Sequence, residues 1–179
     1  HCESSAASDV YKRQIISIIH NMESIYTFTN SPILVTDLDG TILTNGKVSR
    51  EISNIFNKVH KLGIPITFAT GRSKIPASKF SKLLKLKLPY ICSGGSIISD
   101  PETGIDLYQK EIDIDTFTNI INDVNKFKNL NTALYSLEDI YVQNEFKWII
   151  DYSLRQDIKL LKTDNLSEIN NKTVLLIIG

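Results

Sequence analysis

The sequence predicts an α/β fold built on a parallel sheet, followed from residue 110 onward by an α+β module. Three observations predict it. The apolar run Ile33-Leu34-Val35 leads directly into Asp37-Leu38-Asp39-Gly40-Thr41, as a short buried strand does where it ends in a loop. A helical stripe (Ile52, Ile55, Phe56, Val59, Leu62) and a second apolar run over 64–68 complete a strand–helix–strand unit, which closes by a right-handed crossover between parallel strands. After Tyr108 the alternation stops, and helix, two strands, helix and strand follow.

The totals fit one sizeable core. The chain has 179 residues, of which 42% are hydrophobic, and its 20 Lys+Arg balance 20 Asp+Glu. Such a balance supplies no basic surface for nucleic acid or for a membrane, and no apolar run reaches the ~18 residues that span a bilayer. The expected setting is the cytoplasm. Cys2 and Cys92 are too few and too far apart for a disulfide framework or a zinc site, so Cys92 is expected as a buried thiol.

Residues 1–14 open on His1 and include Ser4 to Gln14, a stretch that resembles a cloning scar, and they are set aside from the fold argument. Residues 15–30 carry Ile15, Ile18, Ile19, Met22 and Ile25 at helical spacing, with His20 expected to face solvent. Core and module are expected over 31–109 and 110–179. The strand-like run at 174–178 ends one residue before the end of the chain, and the expectation is an internal fragment of a longer protein.

Ser31-Pro32 breaks the first helix before the strand at 33–36. Past the two aspartates, Asn45-Gly46 supplies the positive φ angles of a tight hairpin turn. Ser49 is the expected N-cap of the next helix and Gly63 its stop. After the strand at 64–68 come Ala69-Thr70-Gly71-Arg72-Ser73 and a helix with Pro76 in its first turn and Phe80, Leu83 and Leu84 on one face. A third strand, 90–92, runs into Ser93-Gly94-Gly95-Ser96. A second hairpin spans 96–108, and Phe117, Ile120, Ile121 and Val124 mark a helix. An antiparallel pair at 132–135 and 140–142 follows, then a helix carrying Phe146, Ile149 and Ile150, with Trp148 expected in the module's core.

In a parallel sheet the carboxyl ends of all strands open on one edge, so Asp37, Asp39, Thr70 and the glycines at 94 and 95 share a crevice. Two carboxylates at i and i+2 point to the same side of the chain, and their repulsion suggests a cation, a phosphate-handling site or an exposed turn. Phosphoryl transfer fits best. Asp37 is suited to attack phosphorus, since carboxylates are ionised at neutral pH, and Asp39 to give a proton to the leaving oxygen and later take one from water. Mg²⁺ would hold carboxylate and phosphate together. Thr70 would donate its hydroxyl to a phosphate oxygen, Gly71 would let the backbone approach closely, and the following helix N-terminus favours negative charge.

The segments LVTDLDGTIL, ITFATGRS and YICSGGSIIS resemble the first half of the haloacid dehalogenase-like phosphatase superfamily, in its Cof-like branch of sugar-phosphate phosphatases. The resemblance covers 31–179 and implies a Rossmann-like core, partial here, with a partial α+β cap inserted after the third strand. It implies Asp37 as nucleophile, Asp39 as acid/base, and Leu38, Thr70 and Gly71 around the phosphate. Arg72, Gly94 and Gly95 are then candidate substrate contacts, and the metal, Mg²⁺, is held by the Asp37 carboxylate and the Asp39 carbonyl. The implied substrate is a small phosphate ester. Family members carry Asn-Gly-Ala where this chain has Gly94-Gly95-Ser96, and their catalytic lysine and further acidic metal motif follow the cap. The 179-residue polypeptide is accordingly expected to bind Mg²⁺ poorly and to have little activity by itself.

Plainer readings stand beside these. Asp37 to Gly40 alone is an ordinary turn, Thr70 alone an N-cap, and Arg72 alone a loop-fixing residue. A calcium loop from Asp37 fails, because its sixth and twelfth positions are Ile42 and Val48. The rival functions are a phosphotransferase or phosphomutase of the same superfamily and a non-catalytic binding domain.

Overall fold

The computed structural model of the chain describes residues 32–127, 130–137, 139–169 and 175–178. The helix expected over 15–30 and the segment 1–14 lie outside the described residues.

The chain begins with β1 (Leu34–Thr36), the hairpin β2 (Leu43–Thr44) and β3 (Lys47–Val48), helix α1 (Arg50–Lys61) and strand β4 (Ile66–Phe68). β1 and β4 pair in parallel, Leu34 opposite Ile66 and Thr36 opposite Phe68, as the crossover argument requires. Asn45 and Gly46 turn the hairpin with φ of 52° and 72°. The Ser49 hydroxyl accepts the Ile52 amide at 3.2 Å, which caps α1, and Gly63 leaves the helix at φ 70°. Ser49→Ala is therefore expected to cost about 1 kcal/mol in urea unfolding.

β1 was expected to be buried, and here the structure differs. Leu34 is 48% and Val35 52% exposed. Consecutive strand residues face opposite sides, so both faces of β1 are uncovered by the described residues, and β4 is its one partner among them. The apolar run gives the strand and not what covers it.

Helix α2 (Lys74–Leu83) follows, then β5 (Tyr90–Cys92), which meets the β4 end through a parallel bridge between Ala69 and Ile91. α2 buries Pro76, Ala77 and Ser81, and Leu84 beyond its end, but Leu83 is exposed, off the face that the expected stripe assigned to it. β6 (Ile97–Ser99) and β7 (Asp106–Gln109) continue from β5 as an antiparallel meander with an irregularity at Ile98/Ser99. Leu38, Phe56, Phe68, Tyr90 and Ile97 fill one core, with the Phe68 and Tyr90 rings 5.3 Å apart. The Lys74 ammonium reaches Asp106 at 2.7 Å and the Gly104 carbonyl at 3.1 Å, tying the first turn of α2 to the β6–β7 hairpin. Burial, aided by Asp106, pushes the Cys92 thiol up to about 12, so this buried sulfur stays protonated and unreactive.

The second part contains α3 (Ile114–Val124), β8 (Thr132–Tyr135), β9 (Ile140–Val142), α4 (Lys147–Gln156), β10 (Leu160–Lys162) and β11 (Leu175–Ile178). Its sheet runs β10-β9-β8-β11, antiparallel except for β9 and β10. Ala133 and Tyr135 pack with Ile149 of α4, whereas Leu134 packs with Phe117 and Ile121 of α3. Cover on both faces explains why β8 is buried at four consecutive positions instead of alternating. β10 was not anticipated: three residues, Leu160-Leu161-Lys162, give no period to read. Trp148, expected in the core, is 45% exposed and stacks between Phe146 and Tyr152, at 5.9 and 5.7 Å. No helix among the described residues is long and apolar enough to cross a membrane.

Candidate functional site

Three strand ends converge, and backbone hydrogen bonds stitch them together. The Ala69 amide donates to Thr36 O at 2.9 Å, joining the end of β4 to the end of β1. The Thr70 amide donates to Ile91 O at 3.0 Å, the Ser93 amide to Arg72 O at 2.7 Å and the Gly94 amide to Thr70 O at 3.3 Å. The loops after β1, β4 and β5 thus form one edge that carries Asp37, Asp39, Thr70, Gly71, Arg72, Gly94 and Gly95.

Asp37 comes directly after β1 and is exposed, its carbonyl accepting the Thr36 hydroxyl at 3.0 Å. Leu38 is fully buried, and its carbonyl accepts the amides of Ile42 and Leu43 at 3.1 and 2.9 Å. An apolar side chain between two aspartates thereby anchors the loop to the core while its neighbours face outward. Gly40 has φ 77°, a conformation that favours glycine in this tight return.

Asp39 is held by Arg72. The guanidinium donates through Nε to Oδ2 at 2.7 Å and through Nη2 to Oδ1 at 2.6 Å, a two-pronged ion pair. The Arg72 side chain is 8% exposed and that of Asp39 54%, so the cation is the buried partner. Its guanidinium carbon lies 5.0 Å from the centroid of the Phe80 ring. Hydrogen bonding to Arg72 holds the Asp39 carboxyl below the usual carboxylate range against the opposing effect of burial, and the charges of Arg72 and Arg155 add to it.

Thr70 is buried, and its Oγ1 accepts the Arg72 amide at 3.2 Å. The helix cap is Ser73, three residues later, so Thr70 belongs to the loop before α2. Gly71 has open space where a side chain would stand. Ser93, Gly94 and Gly95 have φ of 52°, 64° and 98°, three successive left-handed residues at the end of β5. Ser93 is the non-glycine among them, a local strain of the kind that collects at functional sites. Its hydroxyl and that of Ser73 are buried and find no hydrogen-bond partner among the described residues.

Two residues of α4 that the motifs did not flag bear on the Asp39–Arg72 pair through charge. Tyr152 and Arg155 of α4 lie near enough for charge effects: Arg155 lowers Asp39, and Arg72, Asp39 and Arg155 all act on the Tyr152 hydroxyl, which burial raises above its ordinary value. The signal in the sequence was their spacing from Trp148, at i+4 and i+7 on one helix face. A cleft of about 820 Å³ lies nearby, lined by Lys74 and Ser78 of α2, Leu137 and Asp139 of the β8–β9 turn, and Asp157 and Lys159 after α4. Asp37, Asp39 and Thr70 do not line it.

No group of three His, Cys, Asp or Glu side chains suited to a metal occurs among the described residues. The Asp37 carboxylate and the Asp39 backbone carbonyl are hard oxygen donors of the kind that suits Mg²⁺, which keeps several waters and commonly takes one or two carboxylates together with substrate phosphate. The Asp39 carboxylate is engaged by Arg72.

Residues 34–178 match the family model described as haloacid dehalogenase-like hydrolase. The protein named "Putative phosphatase MG265" of Mycoplasma genitalium is 36% identical over 81 residues, 45% of this chain and 29% of its own length. A haloacid dehalogenase-like hydrolase from Bacteroides thetaiotaomicron matches with a TM-score of 0.67 at 16% identity, over 79% of this chain and 55% of that one. The subclass IIB sugar phosphatase BT4131 matches with a TM-score of 0.65 at 18% identity, over 82% of this chain and 57% of its own. The chain therefore spans little more than half the length of these solved relatives.

Proposed function

This chain belongs to the haloacid dehalogenase-like hydrolase family, and on that premise we propose that the whole protein is a cytoplasmic, Mg²⁺-dependent phosphatase of small phosphorylated metabolites, working through an aspartyl phosphate on Asp37. Residues 31–109 belong to its core and 110–179 to an inserted cap. The observation that carries the reading is the pairing of β1 with β4, which sets an exposed carboxylate at one strand end beside the buried hydroxyl of Thr70 at the next. The name of BT4131 supports a sugar phosphate as substrate.

In this reading an Asp37 carboxylate oxygen attacks phosphorus and the bond from phosphorus to the ester oxygen breaks. The leaving oxygen takes a proton from Asp39. Water then attacks the aspartyl phosphate, its proton passes to Asp39, and orthophosphate leaves with the Asp37 carboxylate restored. Thr70, Gly71 and the Leu38 backbone receive the phosphate oxygens. The two-pronged hold of Arg72 describes Asp39 as a carboxylate, the form that accepts the proton of water. Donation in the first half requires Asp39 to be protonated and released from Arg72. Mg²⁺, held by the Asp37 carboxylate and the Asp39 carbonyl, would supply positive charge between two negative partners.

The test is orthophosphate release by the whole protein from p-nitrophenyl phosphate and glucose 6-phosphate. Hydrolysis that EDTA stops and Mg²⁺ restores is expected; no release from any monoester in the presence of Mg²⁺ would overturn the reading.

A further inference from the structure

We infer that Gly94 is a positioning residue: the left-handed turn it completes after β5 clasps the loop between β4 and α2 and so aims Thr70 and Arg72. This rests on the phosphatase reading and adds to it the part that orders its phosphate and acid side. Ser93 and Gly94 send successive amides into that loop, to Arg72 O at 2.7 Å and to Thr70 O at 3.3 Å. The loop so held carries the chemistry. Thr70 Oγ1 accepts the Arg72 amide at 3.2 Å, and the Arg72 guanidinium grips both carboxylate oxygens of Asp39. A shift at either clasped carbonyl therefore moves the Thr70 hydroxyl and the Arg72 guanidinium together.

The turn cannot absorb a change at Gly94 by itself, because both of its ends are fixed. Cys92 pairs with Ile97 across β5 and β6. Within the turn the Ser96 amide returns to Ser93 O at 3.2 Å, and the Lys110 amide holds Ser96 O at 2.8 Å from the far side. Residues 93–96 close this span through φ of 52°, 64° and 98° at Ser93, Gly94 and Gly95. Gly94 sits at φ 64°, ψ 20°, a region that Asn enters readily and β-branched residues do not. Among the described residues, a Cβ at this position would meet nothing within 4 Å. The position demands a conformation, and space is not what limits it.

Asn and Thr are both polar and similar in size but opposite in their tolerance of φ 64°, so they separate the two demands. In the whole protein Gly94→Thr is expected to lower kcat by about 10- to 100-fold. The factor should be the same for p-nitrophenyl phosphate and glucose 6-phosphate, since the misplaced groups serve the phosphoryl group common to both. Gly94→Asn is expected to lose no more than about threefold. Assays run below the melting transition of each variant, so that the loss belongs to folded protein. Hydrogen exchange supplies a readout apart from turnover: the amides of residues 69–74 should exchange at least about tenfold faster in Gly94→Thr and near the wild-type rate in Gly94→Asn. Should Gly94→Thr fail to fold, Gly94→Ala decides, because alanine is smaller than asparagine yet less at ease at positive φ. A greater kcat loss in Gly94→Ala than in Gly94→Asn then upholds the clasp, and the reverse or equality overturns it. Equal kcat losses in Gly94→Thr and Gly94→Asn, a loss that differs more than about fivefold between the two esters, or unchanged exchange over 69–74 in Gly94→Thr overturns the proposal and leaves the phosphatase reading standing. If no monoester is turned over, the phosphatase reading fails and the exchange rates alone decide the clasp.

Discussion

Asp37→Asn is expected to lower phosphate release by the whole protein by at least about 10³-fold in kcat while leaving the fold intact. The amide has nearly the shape of the carboxylate and the position is exposed, so packing is not disturbed. What is lost is the anionic oxygen that would bond to phosphorus. Thermal melts alongside kcat separate the two effects. A variant that melts as the wild type does and retains more than about a tenth of its turnover would remove Asp37 as nucleophile.

Arg72→Met is expected to act on stability and catalysis together. Met keeps much of the length and the apolar contact with Phe80 but cannot grip Asp39, so the carboxylate loses its fixed orientation and kcat falls about 10- to 100-fold. The pair also links stability to pH. Because Arg72 holds Asp39 below the ordinary carboxylate range in the folded chain, the pair contributes stability above the unfolded-state value, and that contribution is lost as pH falls through the lower folded value. The wild type is therefore expected to be more stable than Arg72→Met at pH 7, with the gap closing below about pH 4. Since the Asp39 side chain is 54% exposed, solvent screening keeps the gap well under that of a fully buried pair. A gap that stays constant from pH 7 to pH 2 would show that the ion pair is not its source.

The parts of the fold that were legible in the sequence are local. Ser49 and Gly63 bracket α1 because a cap and a left-handed stop act within a turn of the helix. Asn45-Gly46 dictates its hairpin in the same way. The convergence of Asp37, Thr70 and Gly94 followed from a topological rule, since parallel strands share one carboxyl edge. What was hidden depends on partners distant in sequence. Arg72 was a candidate substrate contact, and its guanidinium rests on Asp39, 33 residues away. Trp148 looked like core because aromatic residues favour it, yet the module's sheet is already filled by Ile149 and its neighbours. Arg155 gave no signal beyond its spacing from Trp148, because an arginine on a helix is ordinary until the element opposite it is known.

β1 carries the exposed pair Leu34 and Val35 just before Asp37. Leu34 donates its amide to Pro65 and Thr36 accepts from Ala69, so by the alternation of a parallel ladder the polar groups of Val35 face the edge that no other described strand pairs with. Among the described residues, the backbone that leads to Asp37 is restrained from one side. Any segment that pairs with this edge hides apolar surface and steadies Asp37 in the same step, so solubility and positional precision rise together. A substitution that makes β1 more polar to keep the chain in solution would remove the apolar surface that such a segment would cover.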